Sequence, residues 1–163
     1  MTQFRFLHFL WRVMPRKSVW IKGVRVEYLA VPWWLLWRVG VKPVFGSAVG
    51  VAHIPSKTRM IFISHRCAKE KNLRYTLFHE WYEAQIRLRM PIPRNRLSRL
   101  FARRIEAFRQ SYPELLEAFR EHREKHGDLP HVIAILMELT LAQRELSPED
   151  FRNMVMDSIE NRL

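Results

Sequence analysis

Residues 59–89 read RMIFISHRCAKEKNLRYTLFHEWYEAQIRLR. The run Arg59 to Ser64, with Met60-Ile61-Phe62-Ile63 at its centre, is dense in aliphatic and aromatic side chains and predicts a strand. The basic, polar HRCAKEKNLR predicts a loop, and a helix follows from about Tyr75 to Arg89, stopping before Pro91 and Pro93. At helical periodicity Tyr75, Phe78, Tyr82 and Ile86 form one apolar flank, and Leu77, Trp81, Ala84 and Leu88 another. Only a narrow polar stripe remains between them: Thr76, His79, Glu80, Glu83 and Arg87. A helix covered on both sides buries that stripe. Buried ionisable groups are costly unless they are paired or coordinate a metal, so an imidazole and two carboxylates there call for a partner.

His79 and Glu83 stand at i and i+4, so their side chains can converge on one divalent ion, with Glu80 beside them. HExxH helices work this way, two ligands one turn apart and an adjacent glutamate that deprotonates metal-bound water. Here the second ligand position holds Glu83, which makes HExxE the weaker signal of the two. A purely structural stripe is the competing expectation: Glu83 paired with Arg87 at i+4, Glu80 with a nearby Arg, and His79 hydrogen-bonded under the sheet.

The order strand (RMIFIS), polar loop, helix (RYTLFHEWYEA) and a later helix containing RRIEAFRQSYPEL resembles the ImmA/IrrE group of zincin-like metallopeptidases. In that group a strand precedes a stretch like "rftlaHElgH", and a downstream "EaNrFA" segment contributes a glutamate. Arg74-Tyr75-Thr76-Leu77-Phe78-His79-Glu80 matches the first signature, and Glu106-Ala107-Phe108 is the counterpart of the second; the match covers about Val41 to Pro113. The resemblance implies a metal-dependent peptidase in which His79, Glu83 and Glu106 hold the ion and Glu80 is the general base. It also implies that a peptide or protein substrate adds as a strand at the sheet edge, assigned to Arg59–Ser64. Glu83 replaces the family's second His, and Phe108 stands where its downstream segment has Asn. Zn²⁺ is the expected metal; the extra carboxylate makes the site more anionic, which brings in Mn²⁺ or Fe²⁺.

Outward from this stretch, Met1 to Arg38 holds five of the six Trp. Phe4, Leu7, Leu10, Trp11 and Met14 recur at helical spacing, and Pro32 suits the first turn of a short helix through Trp37. Residues 1–40 are accordingly read as an aromatic-rich helical N-terminus. VKPVF, AVGVAHI and RMIFIS, separated by Gly46-Ser47 and Pro55-Ser56-Lys57, read as a small antiparallel sheet, so that 41–93 is sheet plus the HExxE helix. Residues 94–163 read as all helical. Arg96 to Gln110 carries an apolar stripe, a Ser111-x-x-Glu114 box opens a helix that Gly127 closes, His131 to Glu145 is another, and Ser147-Pro148 opens the last. The expected fold is α+β, a small antiparallel sheet packed with helices, zincin-like, in one domain of 1–163.

The 163 residues, 48% hydrophobic with five Gly and one Cys, exclude a collagen-like repeat, a disordered chain and a disulfide scaffold. Lone Cys67 asks for no oxidising compartment, the longest strongly apolar run (Tyr28 to Trp37) is about half of what a membrane span needs, and the cytoplasm is the expected location. The net charge of +12 is uneven: ten Lys/Arg against Glu27 alone up to His65, eleven against three up to Arg104, then seven against twelve acids. Such a field attracts nucleic acid, anionic lipid or an acidic partner. A non-catalytic nucleic-acid-binding protein using Arg96, Arg99 and Arg103 is therefore one alternative function, and a peripheral membrane protein using the Trp-rich N-terminus another. His122 and His126 form a further i, i+4 pair on a charged helix end, His53 and His65 bracket the sheet as other ligand candidates, and Cys67 is read as incidental.

Overall fold

The computed structural model describes residues 3–38, 48–53, 57–89, 93–161 and 163. The domain read from the chain length takes the form of two compact units, Met1–Leu88 and Arg89–Leu163. The fold is α+β, and among the described residues no helix is long and apolar enough to cross a membrane.

In the first unit α1 (Gln3–Val13) precedes a hairpin of β1 (Lys17–Ile21) and β2 (Val24–Val31). This corrects the helical reading of residues 1–40. Val19, Ile21, Val24 and Val26 alternate along two short runs, and Lys22 and Gly23 between them have φ of 50° and 74°. Two successive left-handed residues form the turn whose twist matches that of paired strands. A short helix, α2 (Trp33–Arg38), starts after Pro32 as its sequence predicts, and β3 (Ala48–His53) and β4 (Thr58–Ser64) complete the sheet. The strand expected at VKPVF lies outside the described residues.

The strand order is β1-β2-β4-β3. β1 with β2 and β3 with β4 are antiparallel, whereas β2 and β4 run parallel, so the sheet is mixed and not antiparallel throughout as expected. Parallel neighbours need a crossover, and the chain between them, which includes α2 and β3, supplies it. β4 is an interior strand, buried from Met60 to Ile63, and so cannot be the peptide-binding edge assigned to it. Among the described strands the outer position on that side belongs to β3.

Register divides the sheet into two faces. Leu29, Val31, Met60 and Phe62 form one, where Leu7 and Trp11 of α1 and Leu35 and Leu36 of α2 close a core; Trp11 meets Phe62 edge-on at 5.7 Å. Ile61 and Ile63 point to the other face, which is covered by α3 (Leu73–Leu88), reached from β4 through a short 3-10 turn at Cys67–Lys69. Arg59 of β4 bonds Gln85 and lies 5.4 Å over the Trp81 ring, fastening α3 to the sheet.

The second unit is helical: α4 (Arg94–Ile105), a 3-10 turn at Glu106–Phe108, α5 (Pro113–His126), α6 (Leu129–Glu145) and α7 (Pro148–Asn161). α6 is its centre, with twelve buried residues, and α4, α5 and α7 pack on it. Gly127, at φ 64°, closes α5 as its sequence predicts, and Ser147 caps α7 by accepting from the Asp150 amide at 3.2 Å. Glu114 does not close a box on Ser111: α5 starts at Pro113, after Tyr112.

Candidate metal centre

α3 carries the polar stripe between two largely covered flanks: Tyr75, Leu77, Phe78, Ala84 and Ile86 are inside, and Trp81, Tyr82 and Leu88 are half-buried. His79 is only 2% exposed. Its Nε2 lies 3.3 Å from Glu83 Oε2, one turn further on. Glu83 is fixed in turn by Arg87, whose Nη2 and Nε donate to Oε1 at 2.6 Å and 2.9 Å. The two oxygens of Glu83 therefore face different partners, the guanidinium on one side and the imidazole on the other. The Glu83–Arg87 pair is the one expected of a structural stripe. One carboxylate thus meets both Arg87 and His79.

Glu80 points elsewhere. Its Oε2 accepts from the backbone amide of Gly50, on β3, at 2.5 Å. Gly50 sits opposite Ile61 in the β3–β4 register, on the face that α3 covers. A Cβ there would stand 2.6 Å from the Glu80 backbone oxygen, so the glycine permits the helix to approach the strand this closely. No sequence signal marks Gly50, because its role depends on a contact thirty residues away.

The His79–Glu83 pair fits a cation. Two ligands about 2.1 Å from a tetrahedral zinc ion stand about 3.4 Å apart, and the observed separation is 3.3 Å. The donor set, one imidazole nitrogen and one carboxylate oxygen, suits Zn²⁺, Mn²⁺ or Fe²⁺. The same separation serves a hydrogen bond from a protonated Nε2, so proton and metal compete for the pair. Among the described residues of the first unit, no third His, Cys, Asp or Glu brings a ligand atom within 4.8 Å of both.

Glu106, the third ligand implied by the resemblance, belongs to the second unit. It opens the 3-10 turn after α4, its carboxylate is 60% exposed, and Arg109 Nε lies 3.2 Å away. His65 is exposed with Nε2 3.2 Å from the Ala30 carbonyl oxygen, while His53 lies on β3. Cys67 is buried, and that burial, with Glu70 and Glu80 adding negative charge nearby, pushes its thiol up to about 12. A thiol so raised stays protonated at neutral pH and is a poor nucleophile. Arg96, Arg99 and Arg103 are exposed on α4.

A second histidine group stands in the second unit. The His122 ring is 4.7 Å from that of His126, its i+4 neighbour, and 5.6 Å from that of His131 on α6; the sequence pair lacks this third member, which comes from the next helix. His122 Nδ1 donates to the Leu163 carbonyl oxygen at 3.1 Å. Burial is the main cause that holds the His122 pKa below its ordinary value; His131 and His126 act in the same direction, against that carbonyl and Asp128. A histidine whose folded pKa is depressed adds stability that is present above its unfolded pKa, about 6.5, and lost as pH falls through the folded value. The thermal midpoint should therefore fall between pH 7.5 and 5.5, and His122→Gln should flatten that decline. Equal slopes for the two proteins would contradict this.

No family model matches the chain, and no curated protein and no solved structure matches it either.

Proposed function

We propose that the chain is a metal-dependent hydrolase acting on a peptide or protein substrate, with a zincin-like arrangement of helix under sheet. The observation that carries this reading is the His79–Glu83 pair, a nearly inaccessible imidazole facing a carboxylate at 3.3 Å, a separation that accepts a divalent ion. The resemblance of RYTLFHE to the ImmA/IrrE signature supports it, as does the glutamate that follows the histidine directly.

A bound divalent cation supplies Lewis-acid polarisation of a carbonyl and makes water a stronger acid. His79 and Glu83 would hold it, and Arg87 turns Glu83 so that Oε2 faces the imidazole. Glu80, tethered to the β3 amide, receives and returns protons at its carboxylate beside an outer strand. That strand can take an extended peptide by main-chain pairing. Zn²⁺ is the expected ion with Mn²⁺ or Fe²⁺ as alternatives, and the cytoplasm is the proposed location.

Elemental analysis of the purified full chain tests the reading. About one equivalent of metal is expected, lost in His79→Ala and in Glu83→Ala and released as pH is lowered, because protons and metal share the ligands. Glu106→Gln separately tests the ligand role that the resemblance implies for that residue. A metal-free protein that takes up no Zn²⁺, Mn²⁺ or Fe²⁺ on dialysis would end the hydrolase reading.

A further inference from the structure

α1 and α2 pack Leu7, Trp11, Leu35 and Leu36 onto the same face of the sheet. Their other sides therefore look away from the sheet in the same direction, and those sides are not polar. Phe9 and Val13 of α1 are 54% and 57% exposed, and Trp33, Trp34 and Trp37 of α2 are 59%, 47% and 61% exposed. Trp20, 65% exposed, pairs with Arg25 in the hairpin register and so belongs to the same face of the sheet as Leu29 and Val31. Large aromatic side chains exposed together mark an interaction surface.

The charge around them identifies the partner. On α1 Arg5, Phe9, Arg12 and Val13 follow one another at spacings that share one helix side, opposite Leu7 and Trp11, and both arginines are exposed. No acid precedes Glu27, which is engaged by Arg16 at 3.6 Å and Arg25 at 3.3 Å. The first unit holds fifteen Lys/Arg against four acids, so it carries nearly all of the +12. Indole rings with an apolar body and one N–H donor settle at the boundary between headgroups and acyl chains, and arginines beside them meet lipid phosphates.

We propose that this aromatic, basic face docks the first unit on an anionic lipid surface, lying in the interface without crossing it. The proposal is independent of the metal centre, since α3 covers the opposite face of the sheet.

Sedimentation of the full chain with phosphatidylcholine vesicles, with and without phosphatidylglycerol, tests it. Binding is expected with the anionic vesicles, with a blue shift of tryptophan emission and weakening as salt is raised. Trp33→Ser with Trp37→Ser should lower vesicle affinity by about tenfold or more while leaving circular dichroism unchanged. Arg5→Glu with Arg12→Glu should abolish the preference for anionic lipid, and His79→Ala should bind vesicles as wild type does. Three results would overturn the proposal: no binding to anionic vesicles at low salt; binding that the Trp double variant does not alter; or a concentration-dependent dimer that the same variant dissociates, which would make this face a contact between copies.

Discussion

Glu80→Gln is expected to keep the metal and the fold while lowering hydrolysis of a peptide substrate by about 10²–10⁴-fold, the usual contribution of a general base. The amide of Gln has the size of the carboxylate and keeps an oxygen that can accept from the Gly50 N–H, so the tie between α3 and β3 survives. What it loses is the capacity to take a proton. Glu80→Ala should differ on the structural count, since the Gly50 amide then loses its acceptor and the thermal midpoint drops with the activity. Comparing the two separates the roles. A Gln variant that hydrolyses peptide at the wild-type rate would reduce Glu80 to a strut between helix and strand. A Gln variant that loses its metal would place the residue among the ligands.

The split between the two glutamates also explains how two acids three residues apart on one helix avoid competing for one role. Three residues apart on the helix they are neighbours, and it is the surroundings that separate them. Glu83 is fixed between a guanidinium and an imidazole, whereas Glu80 is drawn to a backbone amide of the sheet. Buried carboxylates persist only where such partners exist. Here the partners come from two sources, Arg87 on the same helix and Gly50 on β3, so the strand sets where the second acid lies.

That division marks how far the site is legible in the sequence. The His79–Glu83–Arg87 ladder follows from spacing on one helix, and α3 is long and stops short of Pro91 and Pro93, so both the element and its internal contacts can be read directly. The same holds for β4, whose unbroken apolar run belongs to a strand covered on both faces, and for α5, with its terminal Gly127. The β1–β2 hairpin is legible too, through alternation on both sides of Lys22-Gly23, but the dense tryptophans and the helical stripe of α1 draw the eye to a helix instead. The parallel pairing of β2 with β4 leaves no local trace, because it is decided by which strands the crossover brings together. Glu106 shows the same limit: its sequence context singles it out, yet at its own turn the carboxylate faces solvent beside Arg109.

Gly50→Ala is expected to destabilise the first unit by about 1–3 kcal/mol, toward the upper end of what overpacking costs. The obstacle is space and not backbone conformation. The new methyl carbon would stand 2.6 Å from the Glu80 carbonyl oxygen and 3.2 Å from its carbonyl carbon, and a helix backbone held by its own hydrogen bonds cannot yield as a side-chain tip can. α3 must move off β3, lengthening the contact that aims Glu80 at the edge strand. Hydrolysis should fall with stability while metal binding, which depends on residues within α3, declines less. Gly23→Ala provides the contrast. Its Cβ would meet nothing within 4 Å, but φ is +74°, so its cost of about 1 kcal/mol arises from the backbone alone and leaves the site untouched. Thermal melts of the two variants, read beside metal content and hydrolysis, distinguish these causes. Wild-type stability in Gly50→Ala would mean that α3 does not press on β3 at this point, and the positioning assigned to the Gly50 amide would fall with it.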